Sequence, residues 1–183
     1  MRIIDLEIEN QGVIQQVANL LVKGFQEHWP NAWPDLESGL QEVREAVQKK
    51  NINRIAIDDD GIVLGWIGGI SKYNGKAWEL HPLVVNSEYQ GKGIGQTLVA
   101  DLEKKVKERG GITIFLGTDD EDNMTTLSNT DLYPNLLEQI EGIQNLHKHP
   151  YEFYQKQGYT IVGAIPDANG LGKPDIIMAK RVG

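Results

Sequence analysis

Trp78-Glu79-Leu80-His81-Pro82-Leu83-Val84-Val85, followed after Asn86 to Tyr89 by Gln90-Gly91-Lys92-Gly93-Ile94-Gly95, decides how this chain folds. The first run is apolar with β-branched residues and predicts a strand ending near Val85. The polar link then leads into a glycine-rich turn. Beyond it Ile94, Leu98, Leu102 and Val106 recur on one face of a helix. Glycines admit positive φ and close backbone approach, so successive N–H groups can point into one concavity at the helix start. With the positive end of the helix dipole behind it, such a cradle suits a pyrophosphate.

The spacing Gln-x-x-Gly-x-Gly differs from its look-alikes. A dinucleotide fold requires Gly-x-Gly-x-x-Gly with a later acidic residue, and a P-loop requires Gly-Lys-Ser/Thr. The pattern instead resembles the coenzyme A loop of GCN5-related N-acetyltransferases (GNAT), flanked by strand and helix as in that family. On that resemblance Gln90, Gly91, Lys92, Gly93, Ile94 and Gly95 hold the pyrophosphate of acetyl-CoA. Main-chain groups of Leu83, Val84 and Val85 meet its pantetheine arm in the manner of an added strand. The bland alternative is a glycine-rich helix start without a ligand.

With 183 residues the chain fits one domain, 1–183, with a sizeable core. Its formal net charge of −8 and pI near 5.0 argue against nucleic acid and for a cationic substrate. No run is long enough to span a membrane, and the start lacks a secretory apolar core, which points weakly to the cytoplasm. Without cysteine there is no disulfide, no thiolate metal site and no acyl-cysteine intermediate.

Arg2 to Glu7 reads as a first strand, and two helix faces follow, Val13/Val17/Leu21/Phe25 and Leu36/Leu40/Val43/Val47. Between them Trp29 and Trp33 lie in a loop broken by Pro30 and Pro34. These rings either pack the loop down or wall a substrate site, with Trp29 the candidate contact. Arg54 to Asp58, Ile62 to Ile70 and the quoted strand form consecutive hairpins, turning at Asp59-Asp60-Gly61 and Tyr73-Asn74-Gly75-Lys76. Ile112 to Gly117 is the next strand, parallel to the quoted one across the helix. A helix from Pro134 to about Leu146, a short helix from Pro150 and two closing strands, Tyr159 to Ile165 and Pro174 to Lys180, complete the chain. The expected class is α+β, a mixed, mostly antiparallel sheet with helices on both faces.

Further along, five strings occur in order. They are Trp78 to Val85, Gly110 to Asp120, Thr125-Thr126-Leu127-Ser128-x-Thr130-Asp131-Leu132-Tyr133, His149 to Tyr154, and Lys173-Pro174-Asp175-Ile176-x-Met178-Ala179-Lys180. Together they resemble the chromosomal-type aminoglycoside 6′-N-acetyltransferases, from about Trp78 to Arg181. The resemblance is thinner over the first 77 residues. It implies the GNAT fold, acetyl-CoA as co-substrate without a metal, a homodimer, and acetyl transfer to the 6′-amine by direct attack.

Such a transfer needs the thioester held, a neutral amine aligned, the developing oxyanion stabilised and the leaving thiolate protonated. Glu79 and His81 are two apart on one strand and share a face, where either can accept the amine proton. A half-exposed polar strand face is the plainer account. Pro82 donates no hydrogen bond and favours a bulge. The resemblance then gives the Leu83 N–H to the thioester carbonyl, Glu79 to the acceptor amine and Tyr154 to the coenzyme A sulfur. Asp122 matches a substrate position in the run Asp119 to Asp122, where Asp119 and Asp120 are open to structural roles, and Asp175 is a weaker candidate in the closing loop. His147-Lys148-His149 lacks an acidic partner in register for a metal. The rivals are the same chemistry on a polyamine or a protein N-terminus, and a non-catalytic acetyl-CoA sensor.

Overall fold

The computed structural model describes residues 1–183, with seven strands and five helices in an α+β arrangement. Its contacts gather into two compact units, residues 1–114 with 182–183, and residues 115–181. No helix is long and apolar enough to cross a membrane.

The first unit carries β1 (Arg2–Asp5), α1 (Gln11–Phe25), α2 (Leu36–Ala46), β2 (Ile52–Ile57), β3 (Val63–Lys72), β4 (Ala77–Val85) and α3 (Ile94–Glu108). The strands run antiparallel in the order β1-β2-β3-β4. The expected helix faces become the core: Ile14, Val17 and Leu21 of α1 and Val43 of α2 pack on Ile55, Trp66 and Val84. Strand alternation turns the neighbours of Trp66 to the opposite face, where α3 buries Leu98, Leu102 and Val106. Asn10 caps α1, accepting from the Val13 N–H. Asp35 and Ser38 close a capping box at α2, with the Ser38 N–H 2.8 Å from Asp35 Oδ1. That box fixes where the Trp29 to Pro34 loop ends. Buried Arg54 binds Asp5 at 2.6 Å and Asp101 at 2.7 Å, tying β1, β2 and α3 together.

The hairpin expected at Asn74-Gly75 forms, with Lys72 of β3 paired to Ala77 of β4, and its turn is a 3₁₀ element, Tyr73–Gly75, with all three residues at positive φ. At the other turn Asp58 Oδ1 accepts from the N–H groups of Asp60 and Ile62.

In the second unit β5 (Thr113–Asp119, beginning at the boundary), β7 (Asp175–Arg181) and β6 (Thr160–Ile165) lie side by side in that order, with β6 and β7 antiparallel. Its helices are α4 (Leu136–Glu141) and α5 (Tyr151–Lys156). The helix expected from Pro134 to Leu146 is therefore cut to one short element. Gly142 ends it, and the residues beyond bond to the preceding loop, Thr126 N–H to Gln144 O at 3.1 Å and Leu146 N–H to Met124 O at 2.8 Å. Those bonds satisfy backbone groups that a longer helix would have used.

Candidate active site

Gly91 and Gly93 both adopt left-handed backbone, φ 73° and 81°, and Gly93 is the N-cap of α3 with no side-chain cap. A Cβ at either glycine would meet no protein atom within 4 Å. The concavity is thus open, backed by the start of a 15-residue helix, and it fits a diphosphate. Lys92 folds back on the loop, donating to the Glu88 carbonyl at 3.1 Å and lying 4.6 Å from the centre of the Tyr89 ring. Gln90 Nε2 donates to the Val85 carbonyl, joining the cradle to the end of β4. Val85 and Gln90 also line an open cleft of about 630 Å³, together with Asn19, Lys23 and Asn86.

Upstream, β4 carries the bulge expected at Pro82. Ile67 pairs with Leu83 and Gly69 with Leu80, so His81 and Pro82, joined by a cis peptide bond, face Gly68 alone. A Cβ on Gly68 would run into the His81 carbonyl and the Pro82 ring, which is why glycine stands there. The register beyond the bulge orients the backbone. The Asn86 N–H donates to Leu64 O, so the Leu64–Asn86 and Trp66–Val84 positions are hydrogen-bonded pairs. Leu83 and Val85 fall on the alternate positions and turn their N–H groups away from β3.

Glu79 and His81 share the β4 face covered by α1 and α2. Glu79 is ion-paired with Lys72 of β3 at 2.9 Å. His81 Nε2 lies 3.8 Å from Glu42 Oε1 of α2, and the second Glu42 oxygen accepts from Trp33 Nε1 at 3.3 Å. The Trp33 ring centre is 5.9 Å from that of His81 and 4.8 Å from that of Phe25. Trp29 instead packs on Phe25 and His28. Of the two loop tryptophans, Trp33 is thus the one that reaches the polar face of β4.

In the second unit Tyr154 of α5 is buried, its ring near Phe153 and Tyr159. Burial pushes its hydroxyl above the ordinary phenol range, so it stays protonated and is a better hydrogen-bond donor than acid. The acidic run divides by role. Asp120 is fully buried and accepts from the N–H groups of Met124 and Thr125 at 2.7 and 2.8 Å. Asp119 binds the Asn169 amide, Glu121 pairs with Lys173 at 3.8 Å, and Asp122 is exposed. Asp175 opens β7 instead of lying in the closing loop, its carboxylate against Gly117 of β5.

His149 is buried, with Nδ1 accepting from the Tyr151 N–H, so Nε2 carries the proton and donates to the Asp119 carbonyl at 3.1 Å. No group of three or more His, Cys, Asp or Glu side chains is arranged to hold a metal. Burial lowers the His149 pKa, although the Asp119 carbonyl and the charges of Asp120 and Asp119 oppose it. The unfolded chain therefore binds more protons once the pH drops below about 6.5. The stability from neutral His149 is complete above that pH and is lost as the pH falls toward the folded pKa. Stability should fall over this window with a slope of at most about 1.4 kcal/mol per pH unit. His149→Gln should flatten that slope; identical pH dependence in both proteins would refute the assignment.

The model of the acetyltransferase (GNAT) family matches residues 14–128, from α1 through the cradle and α3 into the acidic loop. The chain belongs to this family. A crystal structure of an aminoglycoside 6′-N-acetyltransferase complexed with coenzyme A is 46% identical, covering 100% of this chain and 98% of that one, with a TM-score of 0.92. The aminoglycoside 6′-N-acetyltransferase from Enterococcus faecium is 45% identical over the same shares, with a TM-score of 0.89. An aminoglycoside 6′-acetyltransferase type Ii is 38% identical over the same shares, with a TM-score of 0.75. No curated protein matches. Within the GNAT frame, the glycine-rich turn, the bulged strand and the helix behind them occupy one continuous segment, Ala77 to Glu108.

Two residues around the β4 face carried no signal in the sequence, and a third, Trp33, carried a partial one. Glu42 sits beside the apolar stripe of α2, where a glutamate is ordinary, and Lys72 ends a strand, where a lysine is ordinary. Trp33 was visible only as one of two rings in a loop. Each is drawn to the face by a partner from another element, Glu42 and Trp33 to His81 and Lys72 to Glu79.

Proposed function

We propose that this protein transfers acetyl from acetyl-CoA to the 6′-amine of aminoglycosides by direct attack of the amine on the thioester. The observation that carries this reading is the segment in which a carboxylate at Glu79, an outward-turned N–H at Leu83 and the Gly91–Gly93 cradle follow one another along a single strand and turn. Similarity to three aminoglycoside 6′-acetyltransferases over the full chain supports the choice of acceptor.

In this reading the cradle binds the pyrophosphate of acetyl-CoA, and Leu83 to Val85 meet the pantetheine arm. The Leu83 N–H holds the developing oxyanion. Glu79 accepts the amine proton, directly or through water, and His81 stands beside it. Tyr154, kept protonated by burial, donates a hydrogen bond to the leaving sulfur. Exposed Asp122 takes an acceptor ammonium, with Asp175 and Trp29 as further acceptor contacts. The same reading makes one catalytic domain of residues 1–183, assembled as a homodimer in the cytoplasm and conferring antibiotic resistance.

Selection among several cationic amines cannot come from charge attraction alone. Fixed carboxylates must dock some ammonium groups while one primary amine reaches Glu79. A 6′-amino aminoglycoside should therefore release free CoA, whereas an analogue with a 6′-hydroxyl should bind and fail to turn over. Asp122→Asn and added salt should each weaken acceptor binding, because exposed attraction is screened over about 8–10 Å. Rapid acetylation of the hydroxyl analogue at another amine would overturn the regiochemistry. Turnover of spermidine but of no aminoglycoside would overturn the substrate class.

A further inference from the structure

The acidic run opens a short loop that one side chain closes on itself. Asp120 is fully buried, and both oxygens of its carboxylate are taken by backbone farther along. Oδ1 accepts from the Met124 N–H at 2.7 Å and Oδ2 from the Thr125 N–H at 2.8 Å. Its own N–H donates to the Pro174 carbonyl at 2.9 Å, and the Ser128 hydroxyl donates to its carbonyl at 3.4 Å. Met124 and Thr125 are buried as well, so Asp120 holds down both ends of the segment 120–125. Between those ends Asp122 and Asn123 stand exposed. Asn123 adopts left-handed backbone, φ 58°, and its side-chain oxygen accepts from the Asn129 amide. Hydrogen bonds to an ionised acceptor are the strong ones. The path of the loop, and with it the base of Asp122, is therefore set before any acceptor arrives.

Resting on the acetyltransferase reading above, in which Asp122 takes an acceptor ammonium, we propose that Asp120 is the positioning residue for that contact. Asp120 cannot meet the acceptor itself, because it has no exposed surface and both its oxygens are engaged. Glu121 is turned to Lys173 at 3.8 Å. A carboxylate on a loose loop still attracts a polycation, but binding must then order the backbone that carries it. A loop fixed in advance avoids that loss and turns general attraction into a contact at one point. Choice among several ammonium groups requires such a point. Asp120 moves no proton in this role, so its effect belongs to acceptor binding and not to the chemical step.

The test compares the parent, Asp120→Asn, Asp122→Asn and the double variant. Each is assayed for CoA release with a 6′-amino aminoglycoside and with spermidine, and for acetyl-CoA affinity and melting temperature. Asparagine keeps the shape of Asp120 but accepts only through its amide oxygen. Its NH₂ then meets a backbone N–H donor to donor, and the loop is released. Asp120→Asn should raise acceptor KM about tenfold, the effect of ordering one or two backbone residues on binding. Acetyl-CoA affinity and kcat should match the parent. Asp122→Asn should raise acceptor KM in the parent and add little in the Asp120→Asn background. Equal losses in both backgrounds would overturn the proposal, because Asp120 would then be one more negative charge acting at a distance. A lower melting temperature with acceptor KM intact would also overturn it, leaving a cap with a structural role alone. Where Asp120→Asn fails to fold, Asn123→Pro carries the test. Proline holds φ near about −65° and cannot follow the path at φ 58°, yet position 123 is exposed and Asp120 is untouched. That variant should show the same rise in acceptor KM, and a parental value would refute the need for a fixed Asp122. Failure of the functional reading looks different. A parent enzyme that releases no CoA with either amine removes that reading, and this inference with it.

Discussion

Replacing Gly93 by valine is expected to abolish acetyl-CoA binding in a protein that still folds. Gly93 sits at φ 81°, ψ 3° as the N-cap of α3, and a side chain in left-handed backbone costs roughly 1–2 kcal/mol. That is tolerable against a domain stability of about 5–15 kcal/mol. A Cβ there meets no protein atom within 4 Å, so the crowding falls on whatever the concavity holds. If two charge-assisted hydrogen bonds to phosphate are lost, at about 1.5–3 kcal/mol each, affinity drops by a factor of about 100 or more. Gly93→Asn separates strain from space, because asparagine tolerates the left-handed region but still projects a side chain. Both variants should melt near the parent and bind acetyl-CoA at least about 100-fold more weakly by calorimetry. An asparagine variant that binds as the parent does would remove the cradle assignment.

The cradle was legible because its causes are local. Glycine spacing marks the positive-φ turn, and the period of Ile94, Leu98, Leu102 and Val106 marks the buried face of the helix behind it. The two helix faces before it were legible for the same reason, and they form the core against Trp66 and Val84. That Glu79 and His81 share a face follows from the period of a strand, which holds as far as His81, the first residue of the bulge. The outward turn of the Leu83 N–H does not follow from β4 alone. It depends on Gly68, a residue of β3, accepting His81 and Pro82 opposite it. The length of α4 was misread because Ile143 to Leu146 keep a helix-compatible pattern while their backbone bonds to Met124 and Thr126. The acidic run was ambiguous in sequence for a similar reason. Nothing in Asp119-Asp120-Glu121-Asp122 says that Asp120 is the one turned inward to cap two backbone N–H groups. Such facts reside in contacts between elements, where residue type and period are silent.

Glu79→Gln is the other change expected to have a large effect, and it acts on the reaction instead of on binding. The substitution keeps the shape of the side chain and removes its charge. If Glu79 takes the acceptor's proton, kcat should fall by about 100-fold or more, the range for loss of a positioned base. Acetyl-CoA affinity should not move, because the cradle lies beyond the bulge at the far end of the segment. The deficit should be greatest at low pH, where the acceptor amine is charged and a base is most needed to free its lone pair. Lys72, 2.9 Å from Glu79, offers the competing explanation that Glu79 only anchors a surface pair. With side chains 43% and 31% exposed, such a pair is worth about 0–1 kcal/mol, too little for a 100-fold loss. Lys72→Met should therefore change kcat/KM by no more than about fivefold. It should act in the favourable direction if the acceptor's ammonium has to displace Lys72 to reach Glu79. The two variants separate the roles in one experiment, a kcat and kcat/KM profile against pH. A Glu79→Gln enzyme that follows the parent across the whole range would leave Glu79 as the partner of Lys72 and nothing more.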